Sequence, residues 1–157
     1  CAEHFPQLTP RAAMVLFAGL RPDREAEGVR MQDIDLHHNL LLVRPSRAKD
    51  RQSRYIGMQP NLVKWLKWSF ERGHDLPVTN WRRLFDLLRR KAGLYGENWP
   101  KNAGRHSFAS YHLELAGEDA TRKALGHGTF DMLFQHYRTL VKPGAGAEYF
   151  GVQPQES

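Results

Sequence analysis

The sequence predicts a mainly helical α+β domain with a small antiparallel β-sheet at one edge. Three observations lead there. Apolar residues recur at helical spacing from Pro60 to Arg72, from Thr79 to Ala92, from Asn102 to Ala116 and from Thr129 to Leu140. Two extended stretches, Ile34–Val43 and Arg54–Met58, flank a polar, basic connection. The 157 residues hold no internal repeat, no low-complexity tract and no second domain boundary, so residues 1–157 are expected to form a single domain.

Taken in order, Thr9-Pro10 predicts a helix start: a capping hydroxyl followed by proline at the first helical position. Ala12, Met14, Val15, Leu16 and Phe17 make the apolar helix, and Gly19 stops it. Pro22, Asp23 and Glu25 favour a second helix to about Met31, because acidic side chains suit a helix N-terminus. Ile34–Val43 contains the turn formers His38-Asn39, and the connection Arg44–Ser53 carries Arg47, Lys49 and Arg51. Leu62, Val63, Trp65, Leu66 and Phe70 form one helical stripe; Trp81, Leu84, Phe85, Leu87 and Leu88 form the next, which ends before Gly93. A loop over Gly93–Lys101 precedes helices over Asn102–Ala116 and Glu118–Leu125, the latter closed by Gly126. A further helix is expected over Thr129–Leu140, then a break at Pro143-Gly144 and a short helix over Ala145–Phe150.

With 41% hydrophobic and 25% charged residues, the chain has the make-up of a globular protein that buries its own core. Its one cysteine, Cys1, excludes a disulfide framework and a multi-cysteine zinc site. The histidine groups His37-His38, His106 with His112 and His127 with His136 lack HExxH spacing, so no metal is expected. No apolar run approaches the roughly 18 residues of a membrane helix, and no basic-then-apolar leader opens the chain. A cytoplasmic location is the expectation. The start on Cys1, with an apolar helix close behind, reads as a fragment lacking an N-terminal part. A net charge of +6 and a pI near 9.7 fit a phosphate-rich partner, and equally a well-solvated surface. Arg82, Arg83, Arg89, Arg90 and Lys91 crowd one helix, as a solvated face or as phosphate contacts. Trp65, Trp68, Trp81 and Trp99 could stack bases, but Trp65 and Trp81 stand at core spacing.

Four local patterns carry chemistry. Phe17-Ala-Gly-Leu-Arg-Pro-Asp-Arg-Glu25 ends an apolar helix in Gly-Leu-Arg, with an acid following. Lys49-Asp-Arg-Gln-Ser-Arg-Tyr-Ile56 sets a lysine before an arginine and a strand. Asn102-Ala-Gly-Arg-His-Ser-Phe-Ala-Ser110 sets Arg105 early in a helix. Leu125-Gly-His127 precedes Gln-His-Tyr-Arg138. In this order the four resemble the boxes of the tyrosine recombinases (phage integrases), from Arg11 to about Tyr149. Three departures stand out. Glu25 sits one residue later than the family's acid, Asn102 replaces a histidine, and the gap from His127 to Tyr137 is one residue longer than common.

The resemblance implies the catalytic domain of that family, with its DNA-breaking and rejoining fold. On that resemblance, the family's N-terminal DNA-clamping domain is expected to lie outside this chain. It implies site-specific recombination or integration on double-stranded DNA through a 3′-phosphotyrosine bond to Tyr137, without metal or nucleotide cofactor. It also implies a tetramer on DNA, with the tail Val141–Tyr149 docking on a neighbouring subunit; for the fragment alone a monomer is the alternative. Arg21 and Arg105 then fall on the catalytic arginines, Lys49 on the general acid, and His127 on a phosphate hydrogen-bond donor. Asn102 falls on the lost histidine, and Glu25 on the acid that orients its helix. Arg47, Arg51, Arg82, Arg83 and His106 are the expected DNA contacts.

The chemistry agrees with those residue types. Attack on a phosphodiester piles charge on the non-bridging oxygens, and planar guanidiniums pair with such oxygens two donors at a time. A phenol of pKa about 10 loses its proton as it attacks. A leaving alkoxide needs an acid, which a lysine can supply. Arg47 and Arg51 compete with Lys49 for that position, and His106 or His136 could stand in for the base that Asn102 cannot be. Three rival readings differ in outcome. A decayed module would hold DNA without cutting. A relaxing topoisomerase would lack site preference. A protein-interaction domain would use the basic helix and leave the arginines and tyrosine without purpose.

Overall fold

In the computed structural model, residues 1–45, 53–126 and 141–155 are described. The first helix, α1 (Thr9–Phe17), is central: all its residues but Leu16 are buried. It packs on α3 (Pro60–Glu71) and on α5 (Ala103–Leu125). Thr9 lies inside the helix rather than capping it. Leu8 takes the cap position, and the Thr9 hydroxyl turns to Cys1 Sγ at 3.7 Å. Gly19 ends α1 with φ +65°, and a side chain there would come within 2.4 Å of Phe108 Cδ1. Glycine thus lets the end of α1 touch α5, as neither the left-handed backbone nor the space admits a Cβ.

The second helix is shorter than its acidic start predicts. α2 is a single turn, Glu25–Gly28, and Val29 then leaves in extended geometry with ψ 137°. A 3₁₀ turn, Met31–Asp33, follows. Buried Asp33 closes it by accepting the Arg30 N–H at 3.0 Å and two bonds from Arg44 at 2.9 and 2.6 Å. The sheet is antiparallel with strand order β1 (Ile34–Asp35), β2 (Leu40–Val43), β3 (Arg54–Gly57). The register sets Leu41 opposite Ile56 and Val43 opposite Arg54. Leu41, Val43 and Ile56 face the core, while Tyr55 on the other face is exposed.

α4 (Trp81–Lys91) stands on a smaller cluster built from Leu8, Ala12 and Trp81, where Trp81 stacks on Phe85 at 4.5 Å. The two helices expected over 102–125 form one element, α5, broken at Gly117 (φ 80°, ψ 178°). Across that break the buried His112 holds Thr121: its ring N–H donates to Oγ1 at 2.8 Å, and that hydroxyl donates to the Gly117 carbonyl at 2.7 Å. The short helix α6 (Ala145–Phe150) forms as expected.

The tail packs against α5 and α1 of its own chain. Glu114 of α5 accepts the Gly144 and Gly146 N–H groups, each at 2.9 Å. Tyr149 stacks on Tyr111 at 4.3 Å and donates its hydroxyl to the Leu16 carbonyl at 2.8 Å. Burial pushes that phenol well above its usual range. Val152 O accepts from Asn61 at 3.2 Å and from the Trp65 indole at 3.1 Å. Among the described residues no helix is long and apolar enough to cross a membrane.

Burial pushes His112 down to about 4 from an ordinary 6.5. The unfolded chain therefore takes up this proton first as the pH falls. Stability should be full above pH 6.5 and decline towards pH 4, with a slope of up to about 1.4 kcal/mol per pH unit for one proton. Urea unfolding at pH 7 and pH 5 measures this. His112→Gln should shrink the difference, leaving the smaller part that the half-buried His106 contributes, and an equal slope in that variant would count against a neutral buried imidazole.

Candidate active site

The turn after α1 gathers on one carbonyl. The Arg24, Glu25 and Ala26 N–H groups all approach the Arg21 carbonyl, at 3.4, 3.1 and 3.0 Å. This turn aims the Glu25 side chain inward, where it is buried. Its carboxylate collects three arginines from three parts of the chain. Oε2 accepts the Arg21 backbone N–H at 2.9 Å, and Oε1 accepts Arg21 Nη1 at 3.1 Å. Arg54 Nη1, from β3, reaches Oε1 at 2.9 Å, and Arg105 Nη1, from α5, reaches Oε2 at 3.4 Å.

Backbone carbonyls complete the cluster. Arg105 donates to Gly19 O and Leu125 O, both at 2.8 Å. Arg54 Nε donates to Ala124 O at 3.0 Å. A helix leaves its last carbonyls without internal partners, and here two arginines satisfy those at the end of α5. The three guanidiniums differ in reach: the side chain of Arg105 is 6% exposed, Arg54 19% and Arg21 35%. Burial pushes the Glu25 carboxyl up. The hydrogen bond and charge of Arg54, the Arg21 amide and the charge of Arg105 more than offset that, so it titrates below its ordinary range. Three guanidiniums sharing one carboxylate are suited to a bound anion.

Of the residues singled out from the sequence, the structure thus brings Arg21 and Arg105 together. Asn102 stands directly before α5 with φ 60°, three residues from Arg105, and its carbonyl accepts the His106 N–H at 3.0 Å. Burial lowers the His106 imidazole, and the charge of Arg105 adds to that. Arg82 and Arg83 sit elsewhere, in the first turn of α4. They line a hollow of about 420 Å³ with Arg11, Glu27 and Trp81, and Arg82 lies 3.7 Å from Asp23. Arg89 and Arg90 both bind Asp86, at 2.8 Å each. Lys49, His127 and Tyr137, together with Arg47 and Arg51, lie outside the described residues.

Sequence reasoning missed Arg54 and gave Glu25 too small a part. Glu25 does more than orient its own helix: it ties that turn to β3 and α5. Arg54 had a signal. By the period of two it shares the inward face with Ile56, and a cation on a core-facing strand position needs a partner.

Glu25→Gln removes the charge and leaves the guanidiniums facing an amide. It should cost about 3 kcal/mol, the low end for breaking a buried ion pair, read from denaturant unfolding at pH 7. Since the folded carboxyl titrates below its ordinary 4.5, its contribution is complete above that pH and lost as the pH falls through the folded value. An equally stable Gln variant would contradict the paired arrangement.

No family model matches this chain, and no curated protein does. Solved structures do. XerA recombinase superposes over 99% of this chain with a TM-score of 0.67 at 20% identity. The Tn1549 transposon integrase (residues 82–397), in complex with circular intermediate DNA, covers 93% with a TM-score of 0.62 at 17% identity. XerH site-specific recombinase, in a post-cleavage complex on palindromic difH substrate, covers 83% with a TM-score of 0.60 at 20% identity. The chain spans 61%, 58% and 42% of those chains, respectively. It has the fold that these recombinases and this integrase share, mainly helical with a small antiparallel sheet.

Proposed function

We propose that this chain is the catalytic part of a site-specific DNA recombinase or integrase that cuts and rejoins strands through Tyr137. The observation that carries this reading is the convergence of Arg21 and Arg105 on the buried Glu25 carboxylate, from segments far apart in the sequence. The shared fold supports it, and so do the DNA complexes in which two of the similar proteins were solved. The net charge of +6 suits the same partner.

In this reading the Tyr137 phenol oxygen bonds to phosphorus as its proton passes to water. The bond from phosphorus to the 5′ oxygen breaks, and its electron pair leaves on that oxygen. Lys49 protonates the leaving oxygen. Arg21 and Arg105 hold the non-bridging oxygens, where charge develops, and His127 donates a further hydrogen bond. The reverse sequence, with a new 5′ hydroxyl as attacker, rejoins the strand. Asn102 hydrogen-bonds but cannot exchange a proton near neutral pH, so any base at this position is absent. That residue favours a second reading, a module that holds DNA and does not cut it.

A pool of nicked duplexes, from which the cleaved fragment diffuses away, separates the two. A DNA-linked protein band on a denaturing gel, lost in Tyr137→Phe, is the expected result. Salt-sensitive DNA binding with no band in either protein would favour the holding module.

A further inference from the structure

We propose that Arg54 is a positioning residue for this cleavage: it fixes the Glu25 carboxylate against which Arg21 and Arg105 are aligned. The inference rests on the enzymatic reading above. Arg54 stands at the start of β3, and its side chain is 19% exposed. Its two bonds run to different elements. Nη1 binds Glu25 Oε1 at 2.9 Å, on the same oxygen that takes Arg21 Nη1 at 3.1 Å. Nε binds the Ala124 carbonyl at 3.0 Å, one residue before the Leu125 carbonyl that takes Arg105 Nη2 at 2.8 Å. Each of the two proposed clamp arginines therefore shares an acceptor group or an adjacent carbonyl with Arg54.

The fork makes this a constraint rather than a tether. Two donors in one rigid plane fix the distance between Glu25 and the end of α5, which one ammonium on a flexible stem cannot do. The neighbouring chain leaves little slack. A Cβ at Gly126, whose φ is +79°, would lie 3.4 Å from Arg54 Nη1. Gly126 leads directly to His127, and Arg54 itself follows the segment that holds Lys49. With Arg54 removed, the carboxylate loses its brace. The misplacement falls on the groups that neutralise the phosphate, where roughly 1 Å costs on the order of a hundredfold in rate.

The test uses the full chain and a duplex from the pool that it cleaves, in two forms. One carries the ordinary phosphodiester. The other carries a methylphosphonate at the scissile position, in which a methyl group replaces a charged oxygen and removes the charge the clamp neutralises. Arg54→Leu and Arg54→Lys are compared with the unaltered chain in single-turnover cleavage, DNA affinity and melting temperature. The expected result is a loss of roughly tenfold to a hundredfold on the phosphodiester and a several-fold smaller loss on the methylphosphonate. Arg54→Lys should recover part of the difference, and DNA affinity should change little. Where Arg54→Leu does not unfold cooperatively, Arg54→Lys alone decides. Equal slowing on both substrates, or none, overturns the Arg54 assignment and leaves Tyr137 chemistry standing. No Tyr137-dependent bond in the unaltered chain overturns the enzymatic reading, and this assignment with it.

Discussion

A carboxylate out of water keeps its charge only where cations and N–H groups replace its hydration, and the same holds for a buried guanidinium. Glu25 and Arg105 meet that requirement through each other, and Arg54 joins them from the sheet. The arrangement ties together the end of α1 through the Gly19 carbonyl, the start of α2, the first residue of β3 and the last turn of α5. None of these ends is held there by apolar packing alone. Buried ion pairs are weak evidence for net stability, because desolvation opposes their attraction. What this one supplies is orientation: the bonds of Arg21, Arg54 and Arg105 to one carboxylate and to the carbonyls around it set how the four segments meet.

Such an arrangement is only partly legible in a sequence. The helices were, because apolar stripes at helical spacing reflect one buried face, and α3, α4 and α5 follow those stripes. The sheet was, because Leu41, Val43 and Ile56 alternate inward. The length of α2 was not. Acidic residues favour a helix start, but they do not oppose the break at Gly28-Val29. Arg21 and Arg105 stood out by local context. Arg54 and the full part of Glu25 did not, since their bond joins residues 29 apart in the chain and no local pattern encodes it. The docking of the tail on α5 depends likewise on Glu114, some thirty residues upstream.

The cluster also bears on the departures from the tyrosine recombinase pattern. Glu25, which sits one residue later than the acid of the resembling pattern, reaches Arg21 across a turn in which three successive amides wind around the Arg21 carbonyl. Asn102 stands at φ 60°, a left-handed conformation that asparagine adopts more readily than most residues. Its place before α5 has a conformational reason apart from any chemistry. The graded exposure of the arginines fits a division of labour. Arg105 is anchored by two carbonyls and the carboxylate, while Arg21 reaches furthest towards solvent.

If the Glu25 cluster clamps phosphate, a crystal structure of Tyr137→Phe bound to an uncut DNA site shows it. The scissile phosphate is then expected within hydrogen-bond distance of both Arg21 and Arg105, with Glu25 still holding Arg21, Arg54 and Arg105. A phosphate bound away from these arginines, or an arginine that leaves Glu25 to reach DNA, would contradict it.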